Sequence, residues 1–481
     1  MNVEKITLPD VSDDDNRTLG MLLDQLTDKI ERNRLRKSYY DMKRVARLTG
    51  SVIPPQYFRL GIVLGWTGKA VDLLARRCNL ERFVWPDGDL DDLGLREVWE
   101  GNSLRSEVSQ GTISSLIHST AFIVNTVGGP GETPALIHFR DAMGATGQWN
   151  ARTRRLDNLL TISGWDQDER ITGLVLYLDG RTITAERTES GWSVDIQEHN
   201  WGVPAEPLPY RPRLDRPFGS SRITREVMNL QDQATRALIR LEAHSDIYAI
   251  PDLWLLGADQ SIFKNADGTL QQAWQVVMGR IKGVPDDDEA ATPRADVKQF
   301  PAASPEPHLA ALNAFAKMFA RSTSLPDTAV SITDMSNPTS AEAYDASQHE
   351  LIAEAEGATD DWSPYLRRAF IRALAMANGI GQDDIPPQWA TIQPKWRDPR
   401  YLSRAAHADA GMKQLTALPW LAETEVGLEL LGLDDQQILR AMADKRRAEA
   451  QQRLTALAAA AQAARTDPAV AALEPASGDA G

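Results

Sequence analysis

The chain has little of what redox, metal-binding or membrane proteins need. Cys78 is the only cysteine in 481 residues, so an internal disulfide and a cluster of thiolate ligands are both excluded. The seven histidines are scattered, and none lies three or four residues from another, the spacing that pairs two imidazoles on one helix face. No uninterrupted apolar run reaches the roughly 18 residues of a membrane span, so no membrane association is expected.

Basic charge is also scarce relative to acidic charge. The net charge is −15, which argues against a main surface that wraps DNA phosphates, because such surfaces carry an excess of lysine and arginine. The first 15 residues are acidic and polar, without the apolar stretch of a secretory leader. With 42% apolar and 25% charged residues, the composition is that of an ordinary soluble protein, and the single cysteine fits an intracellular, reducing origin.

No catalytic signature is complete. The stretch from Gly61 to Ala70 resembles a phosphate-binding loop, but Val63 stands where its first glycine belongs, and Ala70 replaces the Ser or Thr that would hold Mg²⁺. The acidic clusters at 13–15 and 286–289 lie in polar segments, where solvated charge is the default, rather than on rigid elements as a two-metal site requires. We therefore predict no catalytic residue, metal or cofactor.

The N-terminal part predicts a helix over 17–48. Leucines and an isoleucine recur at helical spacing, and the second half of the helix is basic. This basic half is interpreted either as a solvated face or as a contact with a nucleic acid or an acidic partner. The apolar positions are Leu19, Leu22, Leu23, Leu26, Ile30 and Leu35; the basic ones are Arg32, Arg34, Arg36, Lys37, Lys43, Arg44 and Arg47.

Short β-branched and aromatic runs follow from 120 to 200 and predict one antiparallel meander, after a helix at 66–77 and a strand at 81–85. Hairpin turns are expected at Asp179-Gly180 and at Ser190-Gly191. The Pro- and Arg-rich residues 200–219 are interpreted as a connector. The predicted strands are 121–127, 136–139, 156–163, 171–178, 182–187 and 192–197.

The order of helices and loops over residues 218–379 indicates a structural role, and nothing in this segment resembles an active site. A helix of about 24 residues, roughly 36 Å long, begins at 223, and a second covers 308–322. Between them, 251–307 is mixed, with a strand at 253–256. After a loop at 323–338, the capping box from Thr339 to Glu342 begins a helix that runs to about 357. Another helix is expected from Ser363-Pro364 to Gly379, since proline favours the first helical position.

With this order of segments, the chain resembles the portal proteins of tailed bacteriophages, of the type common in phages of actinobacteria. Three blocks carry the resemblance across most of residues 40–378, through their order and spacing. They are RLGIVLGWTGKAVD at 59–72 with RCNL at 77–80 and FVW at 83–85; FGSSRIT at 218–224 with WLLG at 254–257; and FPAASP at 300–305 with LP at 325–326 and NPTSAEA at 337–343.

The resemblance implies a predominantly helical α+β subunit with a β-rich wing, a two-helix stem, a clip, a tunnel loop and a helical crown. It places the wing at 1–222, with long wing helices at 339–378. The stem helices correspond to 223–246 and 306–322, the clip to 247–305 and the tunnel loop to 323–338. The crown corresponds to 379–466, followed by a disordered tail at 467–481.

The tunnel loop is where DNA contact is expected. Residues 323–338 contain no Lys, Arg or His. Cationic side chains would bind phosphates and hold DNA back at every step, whereas a weakly acidic, hydroxyl-rich loop lets DNA slide. The alternative is an ordinary surface loop between two helices. The predicted channel residues are Asp327, Thr328, Ser331, Thr333, Asp334, Met335 and Ser336.

The resemblance also implies partners and location. It implies a homo-oligomeric ring, usually a dodecamer, at one capsid vertex of the virion, assembled in the host cytoplasm. Double-stranded DNA would pass through it, and the terminase large subunit, the major capsid and scaffold proteins and the head–tail adaptor would bind it. The chain itself is expected to have no enzymatic activity. Two other classes compete: a nuclease or motor enzyme, and a monomeric DNA-binding module that uses residues 29–47.

Overall fold

The computed structural model describes residues 6–43, 61–248, 253–256, 269, 281–284, 296–299, 303–331, 346–400 and 404–466. The chain divides into two compact units, Met1–Pro399 and Arg400–Gly481. More of the described residues lie in helices than in strands and the sheets are mostly antiparallel, so the prediction of a mainly helical α+β fold is confirmed. None of the helices in these ranges is both long and apolar enough to cross a bilayer.

The first unit is built around long helices and two antiparallel sheets. Its helices are α1 (Asp13–Tyr40), α2 (Trp66–Ala75), α3 (Leu95–Gly101), α4 (Leu104–His118), α5 (Arg225–Tyr248), α6 (Glu306–Ser322) and α7 (His349–Ala377). Its strands are β1 (Leu80–Val84), β2 (Thr120–Val127), β3 (Ala135–Asp141), β4 (Ala145–Asn150), β5 (Arg155–Trp165), β6 (Ile171–Leu178), β7 (Arg181–Thr188), β8 (Gly191–Glu198), β9 (Ala205–Pro209), β10 (Leu253–Leu256), β11 (Ile281–Val284), β12 (Asp296–Gln299) and β13 (Gln393–Trp396).

Helix α1 confirms most of the predicted N-terminal helix. It begins four residues before position 17, where the Ser12 hydroxyl accepts a hydrogen bond from the Asp15 amide, 3.1 Å away. It ends at Tyr40, and positions 44–48 lie outside the described residues. Leu35 was wrongly placed on the buried face, because it lies 140° around the helix from Ile30 and is exposed. The confirmed buried positions are Leu19, Leu22, Leu23, Leu26 and Ile30.

The predicted single meander is two sheets. Strands β4 to β8 form a five-stranded antiparallel meander, while β2 lies between β3 and β9 in a separate three-stranded sheet. The predicted strands are present; β4 was missed, because its sequence has few β-branched residues. The connector interpretation of 200–219 was wrong for β9, whose Pro207 and Pro209 are tolerated because this strand lies at the edge of its sheet.

The two hairpin predictions have different outcomes. Leu178 pairs with Arg181, so Asp179-Gly180 is the turn, as predicted, and Gly180 adopts a left-handed φ of 73°. Thr188 pairs with Gly191, so the second turn is Glu189-Ser190, one residue earlier than predicted.

Strand β2 joins the two main layers of the core. Its Phe122 and Val124 pack towards the five-stranded sheet, whereas Ala121 and Ile123 pack towards the helices. This alternation follows from the two-residue repeat of a strand, and it buries both faces of β2. Helix α1 covers the opposite face of the five-stranded sheet, so that sheet lies between α1 and the small sheet.

Helix α7 is one helix where two were predicted. It continues through Pro364, which has no N–H to bond the carbonyl of Asp360. Trp362, Leu366 and Phe370, four residues apart on either side of the proline, are all buried in the core of the first unit. This burial outweighs the local preference of proline for a helix start. Gly379 follows the helix with φ of 65°, as predicted; the capping box at 339–342 lies outside the described residues.

The remaining elements are two small sheets and the helices of the second unit. Strand β1 pairs with β13, and Phe83 of β1 stacks on Phe370 with ring centroids 3.7 Å apart. Strand β10 confirms the prediction at 253–256 and pairs in parallel with β11 and antiparallel with β12. The second unit contains α8 (Arg404–Ala417), α9 (Glu425–Leu430) and α10 (Asp435–Thr466). The predicted disordered tail lies outside the described residues.

An ion-pair cluster fastens the small sheet to α7. Glu206 on β9 is 1% exposed and accepts hydrogen bonds from Arg368 at 2.7 and 3.0 Å and from Arg372 at 2.7 Å. Arg372 also donates to Asn125, whose amide donates to the carbonyl of Ala369 at 3.1 Å. The two arginines lie four residues apart on α7, so both reach the same carboxylate.

We expect Glu206→Ala to lower the free energy of unfolding by about 3 kcal/mol, because it leaves the buried guanidinium of Arg372 without its carboxylate. Urea unfolding of the full chain measures this. Glu198→Ala, at an exposed position of β8, is the control and should change stability by less than about 0.5 kcal/mol. Equal effects of the two substitutions would show that the cluster does not stabilise the fold.

His118, at the end of α4, should make the fold sensitive to acid. Burial lowers the pKa of its imidazole to about 4, below its ordinary value of 6.5. The unfolded chain therefore binds a proton more readily, so the stability from the neutral imidazole is present above pH 6.5 and is lost as pH falls towards 4.

We predict that His118→Gln reduces the loss of stability between pH 7.5 and pH 5.5 by about 1 kcal/mol relative to the wild type. Urea unfolding at the two pH values measures the difference. The exposed His349 gives the matched control, His349→Gln, which should keep the wild-type pH dependence. A His118→Gln variant with that same dependence would contradict the prediction.

Candidate functional site

The candidate site consists of the helices α5 and α6 and the loop that follows α6. The end of this pair at which α5 begins and α6 ends is called its base. The start of α5 lies beside the end of α6 through Arg222 and Thr323, and at the other end His244 contacts His308, with ring centroids 5.1 Å apart. The two helices are therefore antiparallel. The predicted helices over 223–246 and 308–322 are both confirmed, each within two residues.

Apolar side chains hold the pair together. Val227, Leu230 and Ala234 of α5 are buried in the same core as Leu312 and Phe319 of α6. In the second half of α5, Ile239 is buried, whereas Leu238 and Leu241 are half-buried. The faces that pack repeat every three or four residues, as helix packing requires.

Arg222 is the centre of a buried polar junction at the base of the helix pair. Its side chain is 4% exposed. Its Nε donates to the carbonyl of Ala70 at 2.8 Å, one Nη donates to the Tyr210 hydroxyl at 3.1 Å, and the other donates to the carbonyl of Thr323. One guanidinium thus satisfies acceptors from α2, from the segment after β9 and from the end of α6.

Glu354 of α7 supplies the opposite charge. Its carboxylate accepts hydrogen bonds from the Tyr210 hydroxyl and from Arg211, and it lies 3.9 Å from Arg222. Burial raises the pKa of Tyr210 to about 12, and the carboxylate of Glu354 adds to this, so the phenol stays protonated and can donate. The junction therefore links the base of the helix pair to α7.

The loop after α6 begins in an ordered way. The Thr323 hydroxyl donates to the carbonyl of Phe319 at 2.7 Å, and Leu325 and Pro326 are buried. A single 3-10 turn covers Asp327–Ala329, and the Ser331 hydroxyl donates to the carbonyl of Asp327 at 2.6 Å. The first part of the predicted loop is thus anchored at its base by Arg222.

The predicted channel residues are described only in part. Asp327 and Thr328 are exposed on the 3-10 turn, and Ser331 is half-buried. Thr333, Asp334, Met335 and Ser336 lie outside the described residues, so the structure brings together three of the seven. Arg222, Tyr210 and Glu354 were not predicted, because they contact residues that are remote in the sequence.

Two other sequence features have structural roles. Gly65 immediately precedes α2. Gly68 packs closely against the backbone at the end of α1, since a Cβ at this position would be 3.1 Å from the carbonyl oxygen of Tyr40. The glycines therefore ease the turn into a helix. On α1, Arg34 pairs with Glu169 at 2.6 Å, and Arg36 donates to the carbonyl of His118 at 3.2 Å. Among the residues described, no group of three or more His, Cys, Asp or Glu side chains could hold a metal ion.

The family of the chain follows from its sequence as a whole. The profile of the family described as phage portal protein, SPP1 Gp6-like, matches residues 19–452. Because that range covers most of the 481 residues, the chain belongs to this family of phage portal proteins. Its role is therefore structural. Phage portal proteins are a non-enzymatic family with roles in the capsid and in DNA packaging.

Two curated relatives are portal proteins of mycobacteriophages. The portal protein of Mycobacterium phage L5 is 28% identical over 388 residues, which are 78% of this chain and 77% of the relative. That of Mycobacterium phage D29 is 28% identical over 394 residues, 80% of this chain and 79% of the relative.

Solved structures with a similar chain come from gene transfer agent particles. A chain in the virion of the native particle is 15% identical, with a TM-score of 0.40, and the match covers 84% of this chain and 99% of that one. A chain in the neck of the native particle, computed with C12 symmetry, is 16% identical with a TM-score of 0.39, and the match covers 82% and 98%.

The junction gives a direct test of what holds the loop in place. Arg222→Met should lower the free energy of unfolding by about 3 kcal/mol, because Tyr210, Glu354 and the Thr323 carbonyl lose a buried charged donor. Hydrogen exchange should accelerate at the amides of 323–331, a local effect that general destabilisation would not confine to this segment. Arg225→Met, at an exposed position three residues later, is the control. Unchanged exchange at 323–331 would contradict the anchoring role.

Proposed function

We propose that the chain forms a homo-oligomeric ring of about a dozen subunits at one capsid vertex and conducts double-stranded DNA through its centre. The observation that carries the proposal is the antiparallel pair α5 and α6, with a cation-free loop leaving its Arg222-anchored base. In this reading α5 and α6 are the stem, 247–305 the clip and 323–338 the tunnel loop. The ring is assembled in the host cytoplasm and remains in the virion.

The sheets built from β2 to β9, together with α7, are proposed as the wing. The residues before 222 and the helix that follows the tunnel loop share one core, which suits a single rigid body around the stem. The crown is proposed to begin near Arg400 rather than at 379, since Trp389 and Ile392 belong to the core of the first unit and the second compact unit starts at Arg400.

The proposed partners follow from the portal role. They are the terminase large subunit, the head–tail adaptor, and the major capsid and scaffold proteins. The chain is proposed to have no ATPase or nuclease activity of its own, since the Gly61–Ala70 stretch lacks the residues of a phosphate-binding loop. Metal-dependent turnover by the pure protein, abolished by a point mutation, would overturn this part.

The charge of the loop supports passage rather than retention of DNA. Asp327 and Thr328 are exposed, and the sequence from 323 to 338 has no cation. Every phosphate contact by a lysine or arginine adds affinity that must be broken as DNA advances. An acidic, hydroxylated lining has no such contacts to break.

Mass photometry and negative-stain imaging of the purified full chain test the ring itself. Rings of about a dozen subunits with a central hole are expected. A species of 53.1 kDa that persists at every salt and protein concentration would overturn the proposal.

Asp327→Lys combined with Asp334→Lys tests the loop. We expect DNA packaging to slow several-fold, because the new cations bind phosphates at each step, while rings assemble as in the wild type. Asp24→Lys with Asp28→Lys makes the same change of charge at exposed positions of α1 and should package normally. Loss of ring assembly in the loop variant would identify the loop as a subunit interface instead, and an unchanged packaging rate would contradict its contact with DNA.

A further inference from the structure

Strand β8 forms an open edge of the five-stranded sheet. It pairs with β7 on one side, in eight consecutive pairs that run from Arg181–Glu198 to Thr188–Gly191 without a register shift. No strand of the described chain pairs with its other side, and every residue of β8 is exposed or half-buried. Such edges are often closed by a proline, a bulge or a covering segment, and β8 contains neither proline nor bulge.

The hairpin determines which backbone groups of β8 point outward. Around a two-residue turn, Thr188 and Gly191 are a hydrogen-bonded pair, and such pairs alternate along the ladder. The amide of His199 donates to the carbonyl of Gly180 at 2.9 Å, which agrees with this alternation. The odd-numbered residues of β8 therefore bond to β7, whereas the N–H and C=O groups of the even-numbered ones point away from the sheet. These outward residues are Trp192, Val194, Ile196 and Glu198.

Two other strand edges of the first unit are closed by side chains. Residues 145–147 of β4 are buried, and the carbonyl of Gly147 accepts a hydrogen bond from Gln25 of α1 at 3.0 Å. On the outer edge of β3, the amide of Ile137 donates to the side chain of Asn102 at 2.8 Å. The fold thus satisfies backbone groups at these two edges and leaves those of β8 available.

The two faces of the open edge have different chemistry. On the face that α1 covers, Trp192 and Val194 pack against the apolar core, and Ile196 is 43% exposed. The opposite face of β8 carries three exposed polar side chains, those of Ser193, Asp195 and Gln197. Directly opposite residues of neighbouring strands share a face, so a strand added to β8 needs apolar and polar residues in alternation.

The charge at this edge is negative. The β7–β8 hairpin carries four exposed carboxylates, those of Glu186, Glu189, Asp195 and Glu198. Of its two arginines, Arg181 pairs with Asp15 at 2.7 Å, so Arg187 alone offsets the carboxylates within the hairpin. Like charges on facing strands are destabilising, so two copies of β8 would repel each other. Lysine or arginine side chains on an added strand would instead be attracted.

We propose that β8 accepts an extended, basic segment of a partner protein as an additional strand of the sheet. Apolar side chains of the segment cover Ile196 beside Trp192 and Val194, and the alternate lysine or arginine side chains face Asp195. The backbone of the segment bonds to the outward groups of the even-numbered residues of β8. The inference adds a docking edge to the proposed wing and does not depend on ring formation.

A synthetic peptide tests the edge directly. The probe has about nine residues in which lysine and valine alternate, and its control has the same composition with the lysines and valines in two blocks. With the full chain, the alternating peptide should slow hydrogen exchange at least about tenfold at the even-numbered amides of β8. The odd-numbered amides, already bonded to β7, should change little. The block peptide should leave both sets unchanged.

Backbone N-methylation of the peptide separates strand pairing from charge attraction. An antiparallel strand would bond through its valines, which lie opposite the outward residues of β8 and share their apolar face, whereas a parallel strand would bond through its lysines. Methylating the backbone nitrogens of one residue type should therefore raise the dissociation constant at least about tenfold. Binding that tolerates methylation of either type would be side-chain attraction alone and would overturn the proposal.

Two variants of the chain test the same contact from the other side. Val194→Pro removes an outward N–H and no bond to β7, so it should weaken binding of the alternating peptide at least about tenfold. Asp195→Lys leaves the backbone intact and should weaken binding by a similar factor, because it places a cation opposite the lysines. Asp28→Lys makes the same change of charge at an exposed position of α1 and should bind like the wild type.

The remaining outcomes are equally decisive. Unchanged exchange at the even-numbered amides in the presence of the alternating peptide overturns the proposal. Wild-type affinity in Asp195→Lys overturns the basic character of the partner. Protection of the same amides in the chain alone, rising with protein concentration and lost in Val194→Pro, would show that β8 pairs with a second copy and would also overturn it. Peptide binding by a chain that forms no rings would support the docking edge and contradict the proposed ring.

Discussion

The guanidinium of Arg222 joins parts of the chain that are remote in sequence. It binds Ala70 of α2, the Tyr210 hydroxyl after β9 and the carbonyl of Thr323 at the end of α6. A planar cation with donors in fixed directions can satisfy several acceptors at once, which an ammonium group does less well. Because the cation is almost fully buried, the helix pair and the loop that leaves it have one arrangement in which its charge is compensated by Glu354.

Helix α7 extends that constraint across the first unit. Glu354 near its start belongs to the Arg222 junction, and Arg368 and Arg372 near its end bind Glu206 of the small sheet. At 29 residues the helix is roughly 44 Å long, so the two buried polar clusters fix the sheet and the helix pair to the ends of one rod. In the proposed ring, movement at the base of the tunnel loop would therefore be transmitted to the wing.

Local patterns predicted the local elements. The helical periodicity from residue 223 predicted α5, and Asp179-Gly180 predicted its hairpin, since both depend on neighbours a few residues away. Two local rules failed because contacts between distant parts of the chain determine the structure there. Pro364 does not begin a helix, because the residues on either side of it are buried in the core. Pro207 lies in a strand, because β9 is at the edge of its sheet and pairs with a neighbour on one side only. The Arg222 junction could not be predicted, because its partners lie up to 152 residues away. The charge of the loop at 323–338 was readable directly, since it depends on composition alone.

The pairing of β1 with β13 has a consequence for synthesis. Leu80 pairs with Trp396, so this two-stranded sheet cannot form until more than 300 further residues have been made. At 5–20 residues per second, β1 waits roughly 15–60 s with an unpaired edge and with Phe83 lacking its stacking partner Phe370. An exposed strand edge beside an aromatic ring is prone to association with other chains. Nascent chains on one polysome are therefore most vulnerable to mispairing before this late closure, and slow translation would lengthen that interval.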